Sequence, residues 1–196
     1  MVALLAFGLA YTFVSDRFTI GPPWLVLVIL AVGSAAIGVL RWRGLVRARQ
    51  VVAIALLVVA TAAVALSAVF LLGALLRGRA EAGDLLASAG LVWLSNVLVF
   101  SLWYWELDGG GPHGRGPGDK ASSDFLFPQL VSGGSRAENW LPDYLDYLFL
   151  AFNTSTAFSP TDTMVLARRS KVLMMLQSLI SLLTVAVLAA RAINTL

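Results

Sequence analysis

The sequence predicts an all-α integral membrane protein: a helical bundle of about five transmembrane helices, with a re-entrant half-helix before the last span. Three observations carry this expectation. The chain is 59% hydrophobic and only 13% charged, against roughly 25% charged residues in soluble domains. Residues 24–40, 51–76 and 85–105 contain no charged side chain. Residues 143–191 read as a short apolar helix (144–152), a polar break (153–162) and a long apolar helix (164–191).

Residues 2–14 are apolar but short. They lack the basic flank and the small-x-small cleavage site of a signal peptide, so they are expected to form a helix of the mature protein. Residues 15–23 contain Gly21-Pro22-Pro23, a strong helix breaker. Residues 24–40 sit at the short limit for a span, about 17 residues. Residues 51–76 correspond to about 39 Å of helix, long enough to require tilt or projection beyond the bilayer. Residues 85–105 correspond to about 31 Å, close to the hydrocarbon thickness. Their last three, Trp103, Tyr104 and Trp105, form an interfacial aromatic belt. Two units follow: N-terminal transmembrane helices over 1–83, and a span, long polar loop, half-helix and final span over 84–196.

The connections differ in character. Residues 41–50 carry Arg41, Arg43, Arg47 and Arg49 and read as a cytoplasmic basic loop. Residues 77–83 form a tight hairpin. Residues 108–141 form the long connection. Its Gly-rich first part, 109–118, is expected to be flexible. Phe125-Leu126-Phe127-Pro128 is too apolar for a free linker and is expected to dock on the membrane surface or on a neighbouring subunit. With 41–50 inside, strict alternation places ten of the fourteen Lys and Arg inside, leaving Arg17, Arg77, Arg79 and Arg191 outside. A re-entrant loop would then enter from the cytoplasm.

Several function classes are disfavoured. There is no cysteine and a single histidine, His113 in the Gly-rich loop. Thiolate nucleophiles, thiolate metal sites and His clusters are therefore excluded. No nucleophile-elbow, zinc-protease or phosphate-cradling motif is present, so the chain reads as a non-enzyme with no cofactor, no catalytic residue and no metal site. The net charge of +3 comes from arginines at segment ends, which report orientation and not a nucleic-acid partner.

Non-helical backbone at membrane depth is tolerated only where it is buried in protein or lines a water-filled cavity. The break after residue 152 therefore reads as a re-entrant pore segment, or else as a surface helix preceding an ordinary span. Residues 147–162, from Tyr147 through Asn153-Thr154-Ser155-Thr156 to Asp162, resemble the pore helix and filter of tetrameric potassium-type channels. In that comparison Thr156 matches the filter threonine and Asp162 the aspartate, one residue late. Both filter glycines are replaced around Phe158, Ser159 and Pro160, so the resemblance implies a constriction of a non-potassium type. Residues 157–164, the span ending at 189–194 and Trp103-Tyr104-Trp105-Glu106-Leu107-Asp108 are also similar to a group of uncharacterised bacterial membrane proteins. This second resemblance covers roughly the last hundred residues and implies the bacterial inner membrane as location. Ordinary channels of the first kind admit the loop from outside and glutamate-receptor channels from inside, so the side of entry stays open.

The expected function is that of a small homo-oligomeric ion-channel-like membrane protein, a tetramer by resemblance, with the lipid bilayer and inorganic ions as partners. The alternative is a non-conducting scaffold or accessory subunit. In the channel reading Thr154, Ser155, Thr156, Phe158 and Ser159 form the constriction, and Asp162 biases cations at the mouth. Gln177, Ser181 and Thr184, at i, i+4 and i+7 with Arg191 continuing the face, line the cavity. Each has a plainer alternative. Ser159, Pro160 and Asp162 can cap the last helix. The hydroxyls of 154–156 can bond back to their own turn. The 177–184 face, like Ser95 and Asn96, can join helices. Glu106, Asp108, Asp143 and Asp146 make either an acidic vestibule or a solvated rim, and Arg168, Arg169 and Lys171 read as headgroup anchors.

Overall fold

A computed structural model describes residues 2–78, 81–116, 122–132, 139–159 and 162–194. Its regular elements are helices α1 (Val2–Tyr11), α2 (Trp24–Trp42), α3 (Val46–Arg77), α4 (Ala82–Leu107), α5 (Pro128–Val131), α6 (Tyr144–Thr156) and α7 (Arg168–Asn194). Two residues each of β1 (Phe125–Leu126) and β2 (Met164–Val165) pair antiparallel. Helices α2, α3, α4 and α7 are long and apolar enough to cross a membrane, which marks the chain as an integral membrane protein. Where the sequence predicts about five spans, four are found among the described residues. Residues 2–14 give the ten-residue α1, about 15 Å long, half the hydrocarbon thickness.

Turn chemistry sets the helix ends. Gly44, at φ +71°, turns the chain between α2 and α3. Gly78, at φ +62°, closes α3 in the left-handed conformation, its N–H returning to the Ala74 carbonyl. Between these points α3 runs for 32 residues, about 48 Å, longer than the roughly 30 Å hydrocarbon core. It starts at Val46, inside the expected basic loop, and carries Arg47 and Arg49 in its first turns.

Helix α4 is central, packed on α1, α3, α6 and α7. The buried face of α3 repeats at helical spacing and is largely small: Ala53, Leu57, Ala60, Val64, Ser67 and Ala68. Small side chains let backbones approach closely where hydrophobic burial gives no drive between helices. Tyr11 pins α1 to this face through a 2.7 Å hydrogen bond with Ser67.

One end of the bundle is closed by the chain's own loop, contrary to two expectations. Phe125 and Phe127 dock inside the protomer, 0% and 4% exposed, because β1 pairs with β2 and the rings pack on Tyr147. The Gly-rich part is anchored as far as Gly116: Arg115 lies over the rings of Trp105 (4.3 Å) and Tyr147 (4.9 Å) and donates to the Tyr147 hydroxyl. Residues 117–121, the rest of that stretch and beyond, lie outside the described residues. Asp108 is buried; it accepts the backbone N–H groups of Asp124 (2.6 Å) and Phe125 (3.3 Å) and the Tyr147 hydroxyl. Asp124 in turn receives both arms of Arg169, at 2.7 and 2.8 Å, and the Ser170 hydroxyl at 2.9 Å. Arg169 thus clasps the loop to α7, although its side chain remains about half exposed.

Candidate functional site

Helix α6 is the half-helix, and its boundaries are set by two local devices. At its start Asp143 accepts the N–H groups of Leu145 (2.7 Å) and Asp146 (3.3 Å), and the Asp146 carboxylate accepts the Asp143 N–H (2.8 Å), a reciprocal capping box. These two acids therefore serve the helix start. At its end Asn153, Thr154, Ser155 and Thr156 continue the helix, where the sequence predicts a break. Their side chains explain it: Asn153 donates to the Phe149 carbonyl (2.9 Å), Thr154 to Leu150 (2.8 Å) and Thr156 to Phe152 (3.0 Å). Back-bonding of this kind satisfies polar side chains without requiring the helix to end.

The helix has two faces. Tyr147, Leu150, Ala151, Thr154 and Ser155 are buried, at i, i+3, i+4, i+7 and i+8. Leu145, Phe149, Phe152 and Thr156 are exposed.

The buried face meets α7 in a seam of neutral hydrogen bonds. Gln177 Nε2 donates to the Ala151 carbonyl and to Ser155 Oγ, both at 2.7 Å. Its Oε1 accepts the Tyr104 hydroxyl of α4, and its backbone carbonyl accepts Asn96 Nδ2 at 3.1 Å. One turn on, Ser181 Oγ donates to the Ser155 carbonyl at 2.5 Å. Thr184 bonds back to Ile180 (3.1 Å) and Ser181 (2.9 Å). Gln177, Ser181 and Thr184 are all 0% exposed. Where the sequence predicts an open cavity wall, Gln177 and Ser181 join α4, α6 and α7 within one protomer, and Thr184 bonds its own preceding turn.

The pairing order fixes the direction of α6. Ala151 meets Gln177, and Ser155 meets both Gln177 and Ser181, so partners advance together and the helices run parallel. Both therefore start at the same end of the bundle. From Tyr144 to Ser155 the axial rise is about 17 Å, roughly half the hydrocarbon thickness. The chain then returns to β2 at the starting end before α7 begins.

Past α6, Phe158 adopts φ +53° and is 49% exposed. Ser159 is half-buried and Asp162 is exposed. The last helix does not start near Ser159. Met164 and Val165 are taken by β2, and α7 begins at Arg168. The expected cap by Ser159 and Asp162 is therefore displaced from the helix start, and Pro160 lies outside the described residues. Of the expected constriction, Thr154 and Ser155 are buried in the seam, whereas Thr156 and Phe158 lie exposed at the tip with Ser159 beside them.

The expected acidic vestibule is dispersed. Glu106 is buried and pairs with Arg49 of α3, itself 8% exposed, and Asp108 is buried in the loop clasp. The Arg49–Glu106 pair and the Tyr104–Gln177 bond were not indicated by local pattern, since each joins residues more than fifty positions apart. Among the described residues no group of three or more His, Cys, Asp or Glu side chains could hold a metal ion. The chain matches no protein-family model, no curated protein and no solved structure.

Proposed function

We propose that the chain is a small homo-oligomeric ion-channel-like membrane protein, a tetramer, in which the tips of the re-entrant helices meet around a narrow pathway. Thr156, Phe158 and Ser159 form the constriction and Asp162 biases cations at its mouth. Thr154, Ser155, Gln177, Ser181 and Thr184 lie one step back, buried instead of lining the pathway, and the bonds among Ser155, Gln177 and Ser181 hold α6 in place. The observation that carries this reading is the half-helix itself, which stops midway along α7 and presents exposed side chains at Thr156 and Phe158. Irregular backbone at that depth needs a protein-lined or water-filled surrounding, and a symmetric contact between tips supplies one.

A second reading, a non-conducting scaffold or accessory subunit, is favoured by the complete burial of the seam within one protomer. Planar-bilayer recording of the purified protein beside Phe158→Ala separates the two. Discrete currents with altered unitary conductance in the variant support the channel. Silence from folded oligomer supports the scaffold, and currents indifferent to the variant remove Phe158 from the constriction.

A further inference from the structure

A cavity of about 830 Å³ lies at the same end of the bundle as the loop clasp, between α1, α2, α3 and α4. Its wall is apolar along most of its length, with Leu4, Ile37, Leu57 and Leu102 among the lining residues. Arg41, Arg49 and Glu106 line it as well. Binding pockets of roughly 300–1,000 Å³ with apolar walls and a few polar groups are the usual form for small-molecule sites.

Two further observations point to a ligand. Ser34 Oγ and Glu106 Oε2, on residues 2% and 7% exposed, make no hydrogen bond among the described residues, and both residues line the cavity. Buried polar atoms are ordinarily satisfied. Arg49, moreover, gives Glu106 one hydrogen bond, while a guanidinium carries five N–H donors. With Glu106 balanced by Arg49, the exposed Arg41 leaves the site one positive charge in excess.

We propose that this cavity binds one anionic phospholipid. Its phosphodiester pairs with Arg41 and the spare donors of Arg49, a headgroup hydroxyl donates toward Glu106, and an acyl chain lies along the apolar wall. Charge complementarity selects the anion, and the apolar length selects a lipid over a free phosphate. The site is independent of whether the chain conducts.

The test is native mass spectrometry of delipidated full-length protein, titrated separately with phosphatidylglycerol, phosphatidylcholine and inorganic phosphate. One phosphatidylglycerol is expected to be retained in preference to phosphatidylcholine, with no competition from phosphate. Arg41→Gln, at an exposed position, is expected to weaken retention roughly tenfold, the loss of one charge-assisted contact of about 1.4 kcal/mol. Ala6→Trp, placed on the exposed cavity-lining position of α1, is expected to abolish the adduct while size-exclusion elution stays unchanged. Equal retention of phosphatidylcholine, retention indifferent to Ala6→Trp, or phosphate binding that depends on Arg41 would each overturn the proposal.

Discussion

The hydroxyl of Ser181 donates to the carbonyl of Ser155 at 2.5 Å, closing the end of a helix that stops inside the bundle. The last four carbonyls of any helix lack partners within it. In α6 one of them finds its partner on the neighbouring helix, and Gln177 adds two more bonds a turn earlier.

Removing that partner leaves a buried acceptor unmade. Ser181→Ala is expected to destabilise the protein by about 1–3 kcal/mol, read as a lower midpoint in detergent unfolding. Gln177→Leu, which breaks bonds to Ala151, Ser155 and Tyr104 together, should cost more than Ser181→Ala. The opposite ranking would show that Gln177 is not the centre of the seam.

Arg49 and Glu106 form a buried pair between the first turns of α3 and the last turn of α4. Removing one partner strands a charge, so Glu106→Leu or Arg49→Met alone should each cost about 3–5 kcal/mol. The double variant should recover most of that loss. Additive losses in a double-mutant cycle would disprove the coupling.

Phe158 holds φ +53°, a conformation that bulky residues adopt at a cost of about 1–3 kcal/mol. Glycine has no such penalty there. Phe158→Gly is therefore expected to preserve or raise thermal stability and, on the proposed channel reading, to alter unitary conductance. A loss of stability would mean that ring packing outweighs the backbone strain.

Helices α2 and α3 touch at Gly33, where a Cβ would meet both Cδ atoms of Leu56 and come within 3.0 Å of its Cγ. Gly33→Ala should cost about 1–3 kcal/mol through overpacking. In a Leu56→Ala background that increment should largely vanish, since the two positions share one contact.

The four spans were legible because hydrocarbon thickness imposes a length that uncharged runs must meet. The half-helix was legible for the same reason, being too short. Its end was not. The run 153–156 reads as polar and hence as a break, yet Asn153, Thr154 and Thr156 bond their own preceding turn, Ser155 bonds Gln177, and the helix continues to Thr156. The start of α7 was hidden differently. Met164 and Val165 look like the first apolar residues of a span, but their backbone is claimed by Phe125 and Leu126, some forty positions earlier. Periodicity correctly put Gln177, Ser181 and Thr184 on one face and left unstated what that face meets. Arg49 shows the same limit: a charge near a helix start signals an aqueous boundary until a distant Glu106 offers it a buried partner.

The seam also imposes an order on biosynthesis. The two residues that donate to α6 across the seam, Gln177 and Ser181, are carried by α7, which leaves the ribosome after α6. On the proposed re-entrant reading, the nascent half-helix lacks its interhelical partners until Gln177 and Ser181 have emerged, and is expected to wait at the bilayer surface. Ribosome-arrested chains ending before Gln177 should therefore expose 144–156 to protease, and chains long enough to insert all of α7 should protect it.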